Sequence, residues 1–142
     1  MDREELKKIL PHREPMLLVD EAEVLPDGTA RGIYRVRGDE FFLQGHFPGN
    51  PVVPGVILCE ITAQSACVLF KEKMEQGVLP LYAGLNKVRF KKPVRPGDEL
   101  VLTTKITREH APFYVIEGEA SVDGQLCMRG EFMIALEALK KD

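Results

Sequence analysis

The segment PGVILCEITAQSACVLFKEKMEQ, which begins at Pro54, constrains the fold more than any other part of the chain. Proline is favoured in the first turn of a helix and glycine just past its end, so Pro54 and Gly77 delimit a helix of about 23 residues. Val56 and Cys59 lie on one face of this helix, and Ile57 covers another. A helix that is apolar on nearly every side must be surrounded by other structure, so we expect it at the centre of the fold.

The chain after this helix predicts β-strands only. Four runs of about ten residues follow, separated by short turns: Tyr82 to Lys91, Glu99 to Arg108, Phe113 to Val122 and Gln125 to Leu136. Because consecutive strands with short turns pair in an antiparallel manner, the sheet must wrap around the single long helix. We therefore predict an α+β fold in one domain, residues 1–142.

The chain before the helix predicts a short helix over residues 3 to 9, an extended run from Met16 to Val24, and a strand from Thr29 to Arg37. Asp27-Gly28 between the last two is a hairpin-type turn. A sheet wrapped on one helix still leaves an open edge and an outer face. A second copy of the chain is the simplest cover, so we predict a homodimer.

The charge balance excludes some partners. The formal net charge of −3 argues against nucleic acid or anionic lipid bound over the whole surface. The N-terminus, MDREELKKIL, is charged from its second residue, unlike a secretory signal peptide. The longest apolar stretch is interrupted by Glu60 and Gln64, which makes it a poor candidate to cross a bilayer. We expect neither nucleic-acid binding nor membrane insertion.

The cysteines and histidines give no sign of a disulfide or a metal site. Cys59 and Cys67 are eight residues apart, about 12 Å along one helix, which is too far for a disulfide. An odd count of three cysteines suits a reducing cytoplasm, which is the location that we predict. The chain has no CxxC or HExxH pattern, so no metal is expected. We interpret His12 and His110 as structural or surface residues.

A stiff loop with the sequence GHFPGNPVVPGV runs from Gly45 to Val56 and contains His46. Glycine and proline at this density exclude a helix or a central strand. Two interpretations of His46 remain open from the residues alone. It either stabilises the loop by bonding a backbone carbonyl group, or acts as a base in a site.

Glu60 lies in the most apolar part of the chain, where a carboxylate is rare unless it is paired or catalytic. Gln64, four residues on, shares its helix face and could hold its rotamer. Gly55 places an unpaired backbone N–H at the helix start, where it could stabilise a carbonyl oxygen that gains negative charge. This set suits removal of a proton next to a carbonyl group. The alternative is that Glu60 faces solvent through a gap.

The stretch FFLQGHFPGNPVVPGVILCEITAQSA resembles the signature of the 3-hydroxyacyl-acyl carrier protein dehydratases of type II fatty acid synthesis. ILPHREPMLLVDEAEV is similar to the opening of that family, and LYAGLNKVRFKKPVRPGDEL to its middle, so the resemblance spans nearly the whole chain. It implies the hot-dog fold, in which an antiparallel sheet wraps around a long helix. It also implies dehydration of a (3R)-3-hydroxyacyl thioester on acyl carrier protein to the trans-2-enoyl thioester, without a cofactor.

The resemblance implies roles for individual residues. His46 and Glu60 match the catalytic pair, which in the family comes from two subunits of the dimer; a hexamer built as a trimer of dimers is left open. Gly55 matches the backbone donor for the thioester carbonyl, and Val56 and Gln64 are expected at the substrate too. Glu in place of Asp at position 60 implies the plain dehydratase rather than the one that also isomerises the double bond. The helix reads CEITAQ where LEAMAQ is commoner, which leaves the acyl length open.

The stretch NKVRFKKPVR is basic, and alternation on a strand would place Lys87, Arg89 and Lys91 on one face. Lys92 and Arg95 extend the charge. The simplest interpretation is a solvated strand face. The resemblance favours a dock for acidic acyl carrier protein.

Two other functions are open. A hot-dog thioesterase would hydrolyse the thioester, usually without the GHFP histidine. A non-catalytic acyl-binding or carrier-binding module would keep the fold, but the presence of both His46 and Glu60 argues against it.

Overall fold

Six antiparallel strands form one sheet in the order β1-β2-β4-β5-β6-β3. The computed structural model describes residues 1–138. The strands are β1 (Glu21–Val24), β2 (Ala30–Arg35), β3 (Val78–Phe90), β4 (Glu99–His110), β5 (Phe113–Val122) and β6 (Gln125–Ala138). The helices are α1 (Arg3–Leu6), α2 (Gly55–Ser65) and α3 (Lys71–Glu75), with 3-10 segments at Phe41–Leu43 and Ala66–Phe70. The predicted α+β class is confirmed.

The four strands after the helix form where the alternating pattern predicted them. Asp123 and Gly124 both have positive φ, 50° and 77°, as the two-residue turn between β5 and β6 requires. Strand β3 begins at Val78, four residues before its predicted start at Tyr82, because it pairs with the far end of β6. Pro80 lies inside β3, where it is tolerated since β3 is an edge strand.

The central helix is not one continuous α-helix, as the sequence predicted. The chain stays helical from Gly55 to Glu75, but residues 66–70 tighten into a 3-10 segment between α2 and α3. Ala66, Cys67 and Phe70 are buried there, so packing against the sheet takes precedence over the regular α-helical hydrogen-bond pattern. The prediction that Pro54 and Gly77 flank the helical region is confirmed.

Two glycines on the sheet let α2 approach it closely. A Cβ atom at Gly32 would lie 2.5 Å from Cβ of Ser65, and one at Gly118 would lie 2.7 Å from a methyl group of Thr62. Ser65 and Thr62 are both fully buried. The contact between helix and sheet is thus made by backbone and small side chains, which fixes the depth at which α2 lies.

The helix is surrounded, as predicted, except at its first turn. Leu58, Cys59 and Ile61 are buried on different sides of α2. Val56, which the pattern placed on an apolar face, is 72% exposed. Val56 lies in the first turn of α2, whose Gly55 packs against Phe90 at the end of the edge strand β3.

One edge of the sheet is open along its length. Strand β1, at one edge, has only four residues and is bridged by Asp2. Strand β3, at the other, has 13 residues, pairs only with β6 among the described strands, and is largely exposed. Leu81, Tyr82, Leu85 and Phe90 all lie exposed on it. A long, apolar, unpaired edge is a template for another strand.

Within residues 1–138, none of the helices is both long and apolar enough to cross a membrane. The three cysteines are buried and free. No group of three or more potential metal-binding side chains occurs among the described residues.

Candidate active site

A cavity of about 50 Å³ lies between α2 and the sheet, and Glu60 contributes to its wall. Its polar lining comes from His12, Glu60, Gln64 and Tyr82. Its apolar lining comes from α2, α3, the 3-10 segment and three strands, and includes Cys67, Phe70, Met74, Pro80, Ile116 and Ile134. The cavity therefore places one carboxylate and three other polar side chains in a lining that is mostly apolar, as a site for an apolar substrate with one reacting end would require.

The Glu60 side chain is held by Gln64, one helical turn further along α2. The amide nitrogen Nε2 of Gln64 donates to Oε1 of Glu60 at 3.3 Å. Gln64 is itself fixed, because Nε2 also donates to the Met16 carbonyl and Oε1 accepts from the Leu18 N–H, both at 2.8 Å. The predicted contact between Glu60 and Gln64 is thus present in the structure, and Gln64 also links α2 to the N-terminal segment.

Two cavity residues were not found by sequence reasoning. His12 was interpreted as a structural or surface residue, but its Nε2 atom lies 3.5 Å from Oε1 of Glu60. The Tyr82 hydroxyl donates to the Cys59 carbonyl at 3.0 Å, beside the Glu60 carboxylate. Burial and the neighbouring charge of Glu60 raise the pKa of Tyr82, so it stays a protonated donor.

The His46 side chain is oriented by its own loop. Its Nδ1 atom is 2.8 Å from the carbonyl oxygen of Val52. Because a carbonyl oxygen only accepts, Nδ1 must carry the proton, and Nε2 of the neutral ring is left as the basic atom. The loop-stabilising bond considered from the sequence is present, and it fixes the orientation of the ring.

The loop itself is tied at several points. Asn50 accepts from the Arg95 guanidinium at 2.6 Å, and the Val53 N–H donates to the Val94 carbonyl at 2.8 Å. Phe47 has a φ of 53°, uncommon for a residue with a side chain, and its ring lies 4.3 Å from that of His46. These contacts restrict the positions that the imidazole can take.

Within one chain, the side chains of His46 and Glu60 are not in contact. Within the described residues no hydrogen bond or ion pair links the two side chains, and His46 is absent from the lining of the Glu60 cavity. Glu60 faces inward between helix and sheet, whereas His46 lies on the loop that precedes α2. Each half of the expected pair is ordered, but in a different place.

Gly55 begins α2 beside the ring of Phe90 on strand β3. A Cβ atom at Gly55 would lie 2.8 Å from that ring, so only glycine fits without a shift. The first N–H groups of the helix have no partner within it and are available to a ligand. Val56, expected at the substrate, is exposed beside it and does not line the Glu60 cavity.

Comparison with known proteins decides the family. A FabA-like domain matches residues 10–131 of this chain. The chain belongs to the FabA-like family. The resemblance that the motifs predicted is confirmed.

Curated relatives of this FabA-like protein cover nearly its full length. Three of them carry the name 3-hydroxyacyl-acyl-carrier-protein dehydratase FabZ. The relative from Petrotoga mobilis is 41% identical over 96% of this chain and 99% of its own. That from Lactococcus lactis subsp. cremoris is 46% identical over 93% and 92%, and that from Streptococcus pneumoniae 44% identical over 96% and 98%.

Solved structures agree in fold. A chain of the dehydratase heterocomplex ApeI:P from Xenorhabdus doucetiae matches with a TM-score of 0.78 at 24% identity, over 92% of this chain and 90% of that one. A hypothetical thioesterase with coenzyme A from Streptococcus pneumoniae TIGR4 matches with a TM-score of 0.61 at 15% identity, over 85% and 88%. At these identities the likeness shows that the FabA-like chain has the hot-dog fold.

The five basic residues predicted to dock a carrier protein are all exposed: Lys87, Arg89, Lys91, Lys92 and Arg95. They do not alternate as a regular strand would. The pairing of β3 with β6 shifts register between Asn86 and Arg89, and Lys87 there has a φ of 54°. The expected single face of Lys87, Arg89 and Lys91 is therefore wrong, because this bulge reorients the strand and β3 ends before Lys91.

Proposed function

We propose that this chain dehydrates (3R)-3-hydroxyacyl-acyl carrier protein to the trans-2-enoyl thioester in fatty acid biosynthesis. The relatives named for this reaction, at 41% and 46% identity over nearly full length, support it. The observation that carries the proposal is structural. His46 is oriented with a free Nε2, and Glu60 is anchored at an apolar cavity.

The reaction follows from these two groups and needs no cofactor. Nε2 of His46 takes the proton from C2 of the substrate, and the electrons of that bond form the C2–C3 double bond. The C3–O bond breaks, and Glu60 gives its proton to the departing hydroxyl group, which leaves as water. A free N–H at Gly55, aided by the helix dipole, stabilises the thioester oxygen as it gains negative charge.

The apolar part of the cavity receives the acyl chain. Phe70, Met74 and Ile134 line this part of the cavity. Because their side chains are apolar, an acyl chain can pack against them without removing water from a polar group. A volume of about 50 Å³ is small for a long chain, so the cavity must widen when one enters. Val56, at the exposed start of α2, contacts the thioester end of the substrate and not the acyl tail.

The working unit is a homodimer in which each site takes His46 from one chain and Glu60 from the other. The separation of the two residues within one chain supports this arrangement. The exposed 13-residue edge strand β3 supplies the surface, because pairing of two such strands would extend the sheet and cover Leu85 and Phe90. Pairing of dimers into a hexamer remains an open alternative.

The acyl carrier protein docks on the basic side chains that follow β3. Lys91, Lys92 and Arg95 are exposed and close in sequence to the Gly55–Phe90 contact at the start of α2. Exposed positive charges attract an acidic carrier protein. At 0.1 M salt this attraction acts over a range of about 10 Å. Lys87 and Arg89, on the bulged part of β3, belong to the same basic patch.

A cytoplasmic location accompanies this function in the proposal. Cys59, Cys67 and Cys127 are buried as free thiols, a state that suits a reducing compartment.

A dehydration assay over a series of acyl-carrier substrates tests the function. The wild-type chain should form the enoyl thioester, and the reverse reaction should consume enoyl absorbance. His46→Ala should lower the rate about 100- to 10,000-fold, the usual contribution of a positioned base. Release of free thiol without an enoyl product would show a thioesterase. Binding of the acyl carrier without turnover would show a non-catalytic module.

A mixture of two inactive variants tests the shared site. His46→Ala chains and Glu60→Gln chains are combined under conditions that exchange subunits. Each mixed dimer then holds one complete site and one with neither residue, and random exchange makes about half of the dimers mixed. Activity should return to about a quarter of wild type. If exchange is demonstrated by mass and no activity returns, the two residues act within one chain.

A further inference from the structure

His12 lies against the Glu60 carboxylate although the two residues are far apart in sequence. Nε2 of His12 is 3.5 Å from Oε1 of Glu60, and the two side chains are 22% and 19% exposed. His12 is held there by its neighbour Arg13, whose guanidinium donates to the carbonyl groups of Leu10, His12 and Lys7 at 2.7–3.0 Å. The backbone that carries the imidazole is thus fixed beside the cavity.

The surroundings of His12 select one tautomer. Its Nδ1 atom is buried and has no hydrogen-bond partner. A buried N–H without an acceptor is rarer and less favourable than a buried acceptor without a donor, so Nδ1 carries no proton. The proton is then on Nε2, the atom that faces Oε1 of Glu60. His12 therefore directs an N–H group at the Glu60 carboxylate.

Two nitrogen atoms approach the same oxygen of Glu60, whereas the nearby Tyr82 hydroxyl donates to the Cys59 carbonyl. Oε1 receives Nε2 of Gln64 at 3.3 Å and faces Nε2 of His12 at 3.5 Å. Gln64 makes a hydrogen bond to Oε1 and His12 makes a longer contact with the same atom, so the proton of the neutral carboxyl group is expected on Oε2. After that proton leaves, the same two N–H groups stabilise the carboxylate.

We propose that His12 is a positioning residue that, together with Gln64, fixes Oε1 of Glu60 and leaves Oε2 as the oxygen that delivers the proton to the departing hydroxyl group. This assignment rests on the proposed dehydration. It explains why a histidine faces the acid from outside α2, although Gln64 already holds the acid from within the helix. It also gives the N-terminal segment a part in the reaction, since that segment carries His12.

Three single variants test the positioning role. His12→Phe keeps a ring of similar size and removes the donor, whereas His12→Gln keeps an N–H near the position of Nε2. We expect His12→Phe to lower kcat about ten-fold with KM nearly unchanged, as for loss of a hydrogen bond to an ionised group. His12→Gln should stay within about three-fold of wild type. His110→Phe, the same change at an exposed histidine on β4, should leave the rate unchanged.

A double variant separates positioning from a structural effect. In a Glu60→Gln background, assayed with enzyme in excess, His12→Phe should lower the rate less than about two-fold further, because its partner is already lost. An equal loss in both backgrounds would overturn the proposal, as would a wild-type rate in His12→Phe or a His12→Gln variant as slow as His12→Phe. Thermal unfolding of each variant confirms that it is folded. A wild-type chain that forms no enoyl thioester would instead refute the proposed function.

Discussion

The carboxylate of Glu40 supports a turn before the loop that runs from Gly45 to Val56, and its removal should destabilise the fold in a pH-dependent way. Glu40 is 5% exposed. Its Oε2 accepts from the Tyr34 hydroxyl at 2.8 Å and the Arg37 N–H at 3.0 Å, and its Oε1 accepts from the Gly38 N–H at 2.7 Å. These three bonds close the chain between β2 and the 3-10 turn that precedes His46.

Glu40→Gln changes one of these bonds and leaves the side-chain shape intact. If the new amide oxygen takes the place of Oε2, the bonds from Tyr34 and Arg37 remain. The amide NH₂ group then faces the Gly38 N–H, and a donor is left without an acceptor. A buried donor left unpaired costs about 1–3 kcal/mol, so urea unfolding at pH 7 should show a loss in that range.

The loss should disappear in acid. Burial alone would raise the pKa of Glu40, but the N–H groups of Gly38 and Arg37 and the Tyr34 hydroxyl outweigh it and hold the pKa below its ordinary value of 4.5. A carboxyl group with a depressed folded-state pKa stabilises the fold fully above its unfolded-state pKa, and this contribution is lost as the pH falls through the folded-state value. The wild-type and Glu40→Gln unfolding free energies should therefore converge as the pH falls through the depressed pKa of Glu40, which lies below 4.5.

The control is Asp39→Asn, the exposed neighbour that pairs with Arg37 at 3.0 Å. Loss of an exposed ion pair is worth about 0–1 kcal/mol, so this variant should unfold almost as the wild type does. A gap between the unfolding free energies of wild type and Glu40→Gln that stays constant throughout an acid titration would refute the assignment to the ionised carboxylate. So would the absence of any gap at pH 7.

Three further outcomes follow from contacts in the structure. Gly32→Ala should destabilise the chain by about 1–3 kcal/mol in urea unfolding, because the new methyl group lies 2.5 Å from Cβ of Ser65 and must displace α2; an unchanged midpoint would contradict this. Lys91→Glu should slow turnover of carrier-protein substrates more than turnover of small thioester analogues, and this difference should shrink at high salt. Lys105→Glu on β4 is the control. An equal loss on both substrates would contradict docking. Burial raises the pKa of Cys67 to about 12, so a thiol reagent at pH 8 should label it only after unfolding, and rapid labelling of the native protein would show that the cavity opens to solvent.

The strands and the helical region could be predicted because their signals are local. Strand β5 has the predicted bounds, Phe113–Val122, since a turn closes each end and alternation fills the middle. The break in the central helix could not be predicted. Its cause lies in how residues 66–70 pack against strands that are distant in sequence, and the segment ACVLF has no proline or glycine to mark it.

The carboxylate and the loop histidine stood out because each breaks a local rule. Glu60 is a charge inside an apolar helix, and His46 is an imidazole in a loop too rich in glycine and proline to be regular. Tyr82 breaks no such rule, because an aromatic residue on a strand is ordinary. Only the crossing of β3 over α2 brings its hydroxyl to the Cys59 carbonyl.

His12 shows why the complete site exceeds what sequence pattern can give. Its ring reaches Glu60 because Arg13 fastens the loop to three carbonyl groups and Gln64 fastens the same segment to α2 through Met16 and Leu18. None of these bonds follows from the period of a helix or a strand, since all involve irregular backbone. These bonds nevertheless fix Glu60 and His12 relative to each other. A substitution that loosens the N-terminal segment should therefore slow proton delivery even if Glu60 itself is unchanged.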